Sequence, residues 1–401
     1  MKNYEITNSE ESEIINLIPI ISNNVQITCV EDGVYILKNK ELKRYLKISK
    51  QMFNLVKLID NKSTINQIVD KYNNKNIEIL NSKFVYNVLY LKLANFGLLI
   101  DNKNLKKNNK PNYLKLSITI INEAKLDFVT KYFSFLFNLK ISIILISISF
   151  SIFAYWIKTS FDIYSKFNFQ DCAILSFAIV FISTIFHELG HATSSRFFGA
   201  NHSGIGIGFY LLFPVFYTDV TDIWILSKNK RIIINLSGIY FEILFSTSIL
   251  ILSFILNMEI LGSIALFIFF KTFLNLNPFI RSDGYWVLSD LINKPNLMLH
   301  GLIKIKQIFK SKKDWLPIDF FLLIYGLISY SFIVFFIYYV LIKNPNSILS
   351  FPKNLKHFLV GIFSNDTEFS IAEIGKLLIP ILFFYLIYGL VKNFSNKKEN
   401  K

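Results

Sequence analysis

The sequence predicts an all-α polytopic membrane protein with about six transmembrane helices and a re-entrant β-hairpin, carrying a small α+β winged-helix domain at its N-terminal end. Three observations carry this. The 401 residues are 52% hydrophobic and only 18% charged, where soluble domains average about 25% charged. Six apolar runs beyond Lys140 each approach the roughly 20 residues that a bilayer requires. Ahead of them, the apolar positions instead recur at short helix and strand spacings.

This composition excludes a soluble enzyme, a disordered chain and a collagen-like repeat. The net charge of +15 would suggest nucleic acid in a soluble protein. Here the lysines cluster beside the apolar runs, as the positive-inside bias of cytoplasmic loops requires. Cys29 and Cys172 lie in unrelated segments and can build neither a disulfide framework nor a cysteine zinc site.

Residues 1–24 form a polar tail without the basic and apolar regions of a signal peptide, so the N-terminus is expected in the cytoplasm. The domain over 25–101 begins with GVYILKN and ELKRYLKIS, which read as a strand pair around a Lys-Asn turn. A helix follows with Ser49 as N-cap, then a second capped by Ser63 or Thr64. A third runs from Ser82 to about Asn95, Gly97 ends it, and Leu98 to Ile100 return as a strand. Strands, three short helices and a closing strand give the winged-helix expectation.

Residues 102–139 make a basic linker, and the stretch to Leu139 is compatible with an interfacial helix. The membrane domain is expected over 140–393, with spans near 140–158, 174–197, 231–256, 260–280, 317–342 and 374–392. A basic tail over 394–401 closes the chain. Gly204–Tyr217 is apolar, short and glycine-punctuated, which suits a re-entrant hairpin rather than a span. Basic loops before spans one, three and five, and the basic tail, place both termini in the cytoplasm.

The chemistry concentrates in FHELGHA. His187 and His191, at i and i+4, share one helix face about a turn apart. That spacing suits two zinc ligands, with Glu188 beside them as general base. Two imidazoles and a carboxylate inside an apolar span are costly and so point to function. Catalytic zinc needs a third protein ligand and an open position for water. Asp283, in LNLNPFIRSDGYW at the cytoplasmic end of span four, is the candidate, because the charge-based topology brings it to the same face as His191.

FHELGHA together with NLNPFIRSDG resembles the site-2 protease family of intramembrane zinc metalloproteases, whose second motif reads N-x-x-P followed by D-G. In this chain that pattern falls on Asn275, Pro278, Asp283 and Gly284. FPVFYTDVTDIW and DGYWVLSDL are similar to the bacterial peptide zinc metalloprotease subgroup. The resemblance implies one zinc ion per chain on His187, His191 and Asp283, with Glu188 activating water and Asn275 holding the substrate peptide. Ile280 stands where the family often has a second proline. Gly238-Ile239-Tyr240-Phe241-Glu242 stands where it often has G-P-x-x-N. Both departures bear on substrate clamping and leave the metal ligands intact.

Glu242 and Lys271 are charges within spans at similar depth and are expected to pair. His202 is open between a fourth ligand, a proton shuttle and a surface histidine. His300 and His357 fall in loops, and Asp219 and Asp222 read as loop caps. The N-terminal pattern, from YILKN to NFGLLI, resembles the PqqD-like fold, which implies binding of a leader segment by strand addition. Its nearly balanced charge argues against nucleic acid. The expected partners are thus a peptide substrate, the lipid bilayer and a peptide transporter. The expected place is the bacterial inner membrane. The expected activity is endopeptidase cleavage near the cytoplasmic face, in maturation or export of a ribosomally made modified peptide. Two alternatives remain: a non-catalytic export or immunity protein, and a regulatory protease acting on a membrane-anchored transcription regulator.

Overall fold

The computed structural model describes residues 14–31, 33–76, 79–93, 96–100, 115–165, 173–210, 213–309 and 315–356, with scattered positions between 376 and 387. Residues 102–114 of the expected linker, Cys172, His357, most of the sixth span and the basic tail lie outside the described residues.

The N-terminal region opens with three antiparallel strands in the order β1-β2-β3: Val25–Glu31, Val34–Asn39 and Arg44–Ser49. The expected strand pair is β2 and β3, in register from Val34↔Ser49 to Asn39↔Arg44. Ser49 caps α1 (Lys50–Lys57) by accepting from the Met52 N–H. Of the two candidate caps for α2 (Ile65–Asn73), Thr64 is the one used. It forms a reciprocal capping box with Gln67, which satisfies two donors at the helix start. The third helix, α3 (Ser82–Tyr86), continues as a π-helical turn over Asn87–Lys92. Leu37, Leu55, Ile65, Ile68, Val85 and Leu89 fill one core between sheet and helices. The expected closing strand is only a bridge, Ile21↔Leu99, because Gly97 at φ +73° turns the chain just before it.

The stretch before the first span differs from expectation. It contains β4 (Lys115–Ile121), and only then α4 (Glu123–Phe133), capped by Asn122. LSITII alternates and is β-branched, which favours a strand over a helix. The hairpin is present as β5 (Ile205–Tyr210) and β6 (Phe213–Thr218), and β4 joins it in a sheet of order β4-β5-β6.

Five helices among the described residues are long and apolar enough to cross a membrane: Leu139–Ser160, Ile174–Phe197, Lys228–Leu256, Glu259–Leu276 and Pro317–Lys343. They mark a membrane protein. We call the underlying helices α5 (Leu139–Ser165), α6 (Ala173–Phe197), α7 (Lys228–Leu256), α8 (Glu259–Thr272) and α11 (Pro317–Tyr338). Between the last two lie α9 (Asp283–Leu291) and α10 (Leu297–Lys306). His300 is therefore helical, not in a loop.

The chain divides into two compact units. One comprises 1–112, 119–206 and 217–268; the other comprises 113–118, 207–216 and 269–401. In the first, α6 turns Ile174 and Phe177 outward, both more than two-thirds exposed, while Ser176, Ser183 and Ser194 are fully buried. This inverted pattern is what helix packing in lipid requires: small and polar residues line the contact, and the apolar face meets the solvent. The contact is with α7. Partners run in opposite directions along the two helices, from Ser183 with Glu242 to Ser194 with Ser237, so the pair is antiparallel. In the second unit, Gly301 of α10 and Gly326 of α11 face one another so closely that either Cβ would strike the other's backbone.

Candidate metal centre

The site is built on the α6–α7 pair. His187 and His191 are both buried on the inward face of α6. The His191 Nδ1 lies 2.8 Å from the carbonyl oxygen of Ile234, on α7. A carbonyl can only accept, so this Nδ1 carries a proton, and in the neutral ring Nε2 then presents a lone pair. The His187 Nδ1 lies 3.4 Å from Glu242 Oε2, again an acceptor, which fixes the same tautomer.

The two Nε2 atoms are then acceptors facing one another at 3.2 Å. Two lone pairs at that separation repel unless a proton or a metal ion lies between them. Adjacent ligands of a tetrahedral zinc, with Zn–N bonds of about 2.05 Å, would stand about 3.3 Å apart. The donor chemistry and the spacing both fit a divalent cation.

Gly238 of α7 makes the room. A Cβ there would lie 2.5 Å from His187 Nε2 and 2.6 Å from His191 Nε2. Gly190 of α6 similarly lets the helices close up, since a Cβ there would meet the Ser237 backbone and the Phe241 side chain. Ser237 donates to the Ile234 carbonyl at 2.6 Å and accepts from Ser194 at 2.7 Å, so the turn that holds His191 is itself bonded across the helix pair.

Glu188 follows His187 on α6 and is half-buried. Thr218, the last residue of β6, reaches its backbone carbonyl at 3.5 Å. Asn275 and Asp283 belong to the second unit. Asn275 sits in the 3₁₀ turn Phe273–Leu276 that follows α8. Asp283 is the first residue of α9, and Gly284 beside it packs on the Leu276 backbone. The intervening loop is pinned by the Tyr325 hydroxyl, which donates to the Pro278 carbonyl at 2.8 Å, and by Phe279 stacked on Tyr325.

His202 is not a surface histidine. It is buried, with Nδ1 2.9 Å from the Ser203 carbonyl and Nε2 3.5 Å from Thr130 Oγ1. Burial pulls its pKa below the usual imidazole value, against the opposing effect of that carbonyl. Asp127 beside it is paired with Arg196.

Asp219 caps its own turn through Thr221, but Asp222 does more than cap. It is buried in the turn Thr221–Ile225 that leads into α7. It accepts from Lys38 Nζ at 2.5 Å, the Tyr45 hydroxyl at 2.8 Å and the Asn201 N–H at 2.9 Å. Burial disfavours its charge, but these three donors outweigh it and hold the carboxyl below the usual range. Burial, reinforced by Asp222, pushes the Tyr45 phenol well above its usual range. The N-terminal sheet is thereby tied to the turn that precedes α7, and Glu31 adds a bond to the Lys228 N–H at the start of α7. No local motif marks this contact.

Chemically, the arrangement is a pair of imidazoles spaced to suit a divalent cation, with the Glu242 carboxyl group 3.4 Å from one of them. The chain is 39% identical over 111 residues to the protein named "Putative peptide zinc metalloprotease protein YydH" from Bacillus subtilis (strain 168). That match covers 27% of this chain and 43% of the relative, so the chain spans less than half of that protein. No family profile matches the chain, and no solved structure matches it.

Proposed function

We propose that the chain is a site-2-protease-type intramembrane zinc metalloendopeptidase. The observation that carries this reading is the pair of Nε2 lone pairs, 3.2 Å apart on the inward face of an apolar helix, with Glu188 between their positions in sequence. The printed name of the Bacillus relative supports the same chemistry. His187, His191 and Asp283 hold one zinc ion, and Asn275 holds the substrate backbone. The D-G motif and the basic-loop topology support Asp283 in this role.

Zinc held there supplies Lewis acidity, which makes water nucleophilic near neutral pH and polarises the scissile carbonyl. Glu188 accepts the water proton on its carboxylate and passes it to the leaving nitrogen as the C–N bond breaks. The sheet β4-β5-β6 ends in two outer strands, β4 and β6, and an extended peptide laid along one of them would gain main-chain hydrogen bonds.

The region over 25–101, read as a PqqD-like winged-helix domain, presents a leader segment of a ribosomally made modified peptide. Cleavage near the cytoplasmic face of a bacterial inner membrane then serves maturation or export, with a peptide transporter as partner. The test is purification in detergent of wild type and Glu188→Gln, with zinc analysis and incubation with a membrane-peptide library read by mass spectrometry. Zinc near one per chain in both, with cleavage by wild type alone, is expected. Cleavage that survives the substitution removes Glu188 from its role.

A further inference from the structure

Glu242 is fully buried on α7, inside an apolar helix. A carboxylate there is costly unless nearby groups compensate it. Two groups on α6 do so. The Ser183 hydroxyl donates to Oε1 at 3.0 Å, and the His187 Nδ1 stands 3.4 Å from Oε2. Ser183 and His187 are four residues apart on α6, so both reach one carboxylate from the same face. The sequence invites a purely structural reading of Glu242, but its carboxylate faces a proposed ligand directly.

The two histidines are therefore held differently. His191 leans on a neutral backbone carbonyl, with the Ser237 hydroxyl 3.4 Å away. His187 leans on a carboxylate. A carboxyl partner at Nδ1 holds the ring's orientation and tautomer, and it raises the basicity of Nε2.

We propose that Glu242 is a positioning residue that orients His187 and strengthens it as a metal ligand through Nδ1, with Ser183 steadying the carboxylate. This rests on the metal-site reading above. Glu242 acts on the metal through His187, and the two histidine ligands are unequal as a result.

The experiment uses the full chain in detergent, with wild type, Glu242→Gln, Glu242→Ala and Ser183→Ala. Zinc affinity is read by competition with a chromophoric chelator. The cobalt(II)-loaded protein is read by its visible absorption bands, which report ligand geometry and are indifferent to packing elsewhere. Losing a group that hydrogen-bonds a metal-ligating histidine weakens metal binding about 10- to 100-fold. Glu242→Gln, which keeps the shape and loses the charge, should weaken zinc binding about 10-fold and shift the cobalt bands. Glu242→Ala should approach 100-fold, and Ser183→Ala should show a smaller shift in the same direction. If Glu242→Ala does not fold, the isosteric glutamine variant decides. Zinc affinity and cobalt bands unchanged in Glu242→Gln would overturn the role of Glu242 and leave the metal site standing. Wild-type protein that takes up neither metal would overturn both.

Discussion

Gly238→Ala adds one methyl group at the point where both proposed histidine ligands converge. That carbon would sit 2.5 Å from His187 Nε2, 2.6 Å from its Cε1 and 2.6 Å from His191 Nε2. Comfortable non-bonded contacts begin near 3.5 Å, so the rings or the helices must yield by about 1 Å. Ligand distances in a metal site tolerate only about 0.2 Å. Overpacking typically costs about 1–3 kcal/mol, and alanine returns about 0.5–1 kcal/mol through helix propensity. The net loss of global stability should therefore be at most about 2.5 kcal/mol, while zinc affinity falls about 10- to 100-fold, at about 1.4 kcal/mol per decade. Gly262→Ala is the matched control. Its Cβ would press on the Trp156 ring at 2.8 Å, between helices but away from the histidines, so it should strain packing and retain zinc. The assay is chelator competition for zinc alongside a thermal melt. Wild-type zinc affinity in Gly238→Ala would refute the claim that the two rings converge where the geometry puts them.

Three further outcomes follow from the same contacts. Asp222→Ala should loosen the N-terminal sheet from the turn before α7, because Lys38 loses its buried partner at a cost of about 3 kcal/mol; faster hydrogen exchange over β2 and β3 checks this. The same contact should survive at neutral pH. The depressed Asp222 pKa means its contribution is present above the ordinary carboxylate value near 3.9 and is lost only as pH falls below it. The raised Tyr45 pKa means its contribution is complete below pH of about 10 and is lost only in stronger alkali. His202→Ala should leave zinc content unchanged, because its ring is engaged by Ser203 and Thr130, while lowering the melting temperature. Its depressed pKa means that the stability His202 contributes is complete above about pH 6.5 and declines as the medium is acidified through its folded pKa.

The five described spans fall within a few residues of their sequence-based positions, because continuous apolar runs leave little choice in lipid. The helix caps were equally legible, since Ser49 and the Thr64/Gln67 box act through residues only three positions away. β4 was hidden in a stretch of mixed character, and a strand's partners are remote in sequence. The same limit applies at the metal site. The i, i+4 histidines announce themselves on one helix, but Gly238 and Glu242 become informative only once the register of α7 against α6 is known. The Asp222–Lys38 contact joins residues 184 positions apart, and nothing near either one signals it.

The most direct test of the account is zinc-edge X-ray absorption on the full chain purified in detergent. It should show a first shell of nitrogen and oxygen only, at about 2.0–2.1 Å, with the outer-shell scattering of two imidazoles, as His187 and His191 predict. A shell containing sulfur, or one without imidazole scattering, would contradict it.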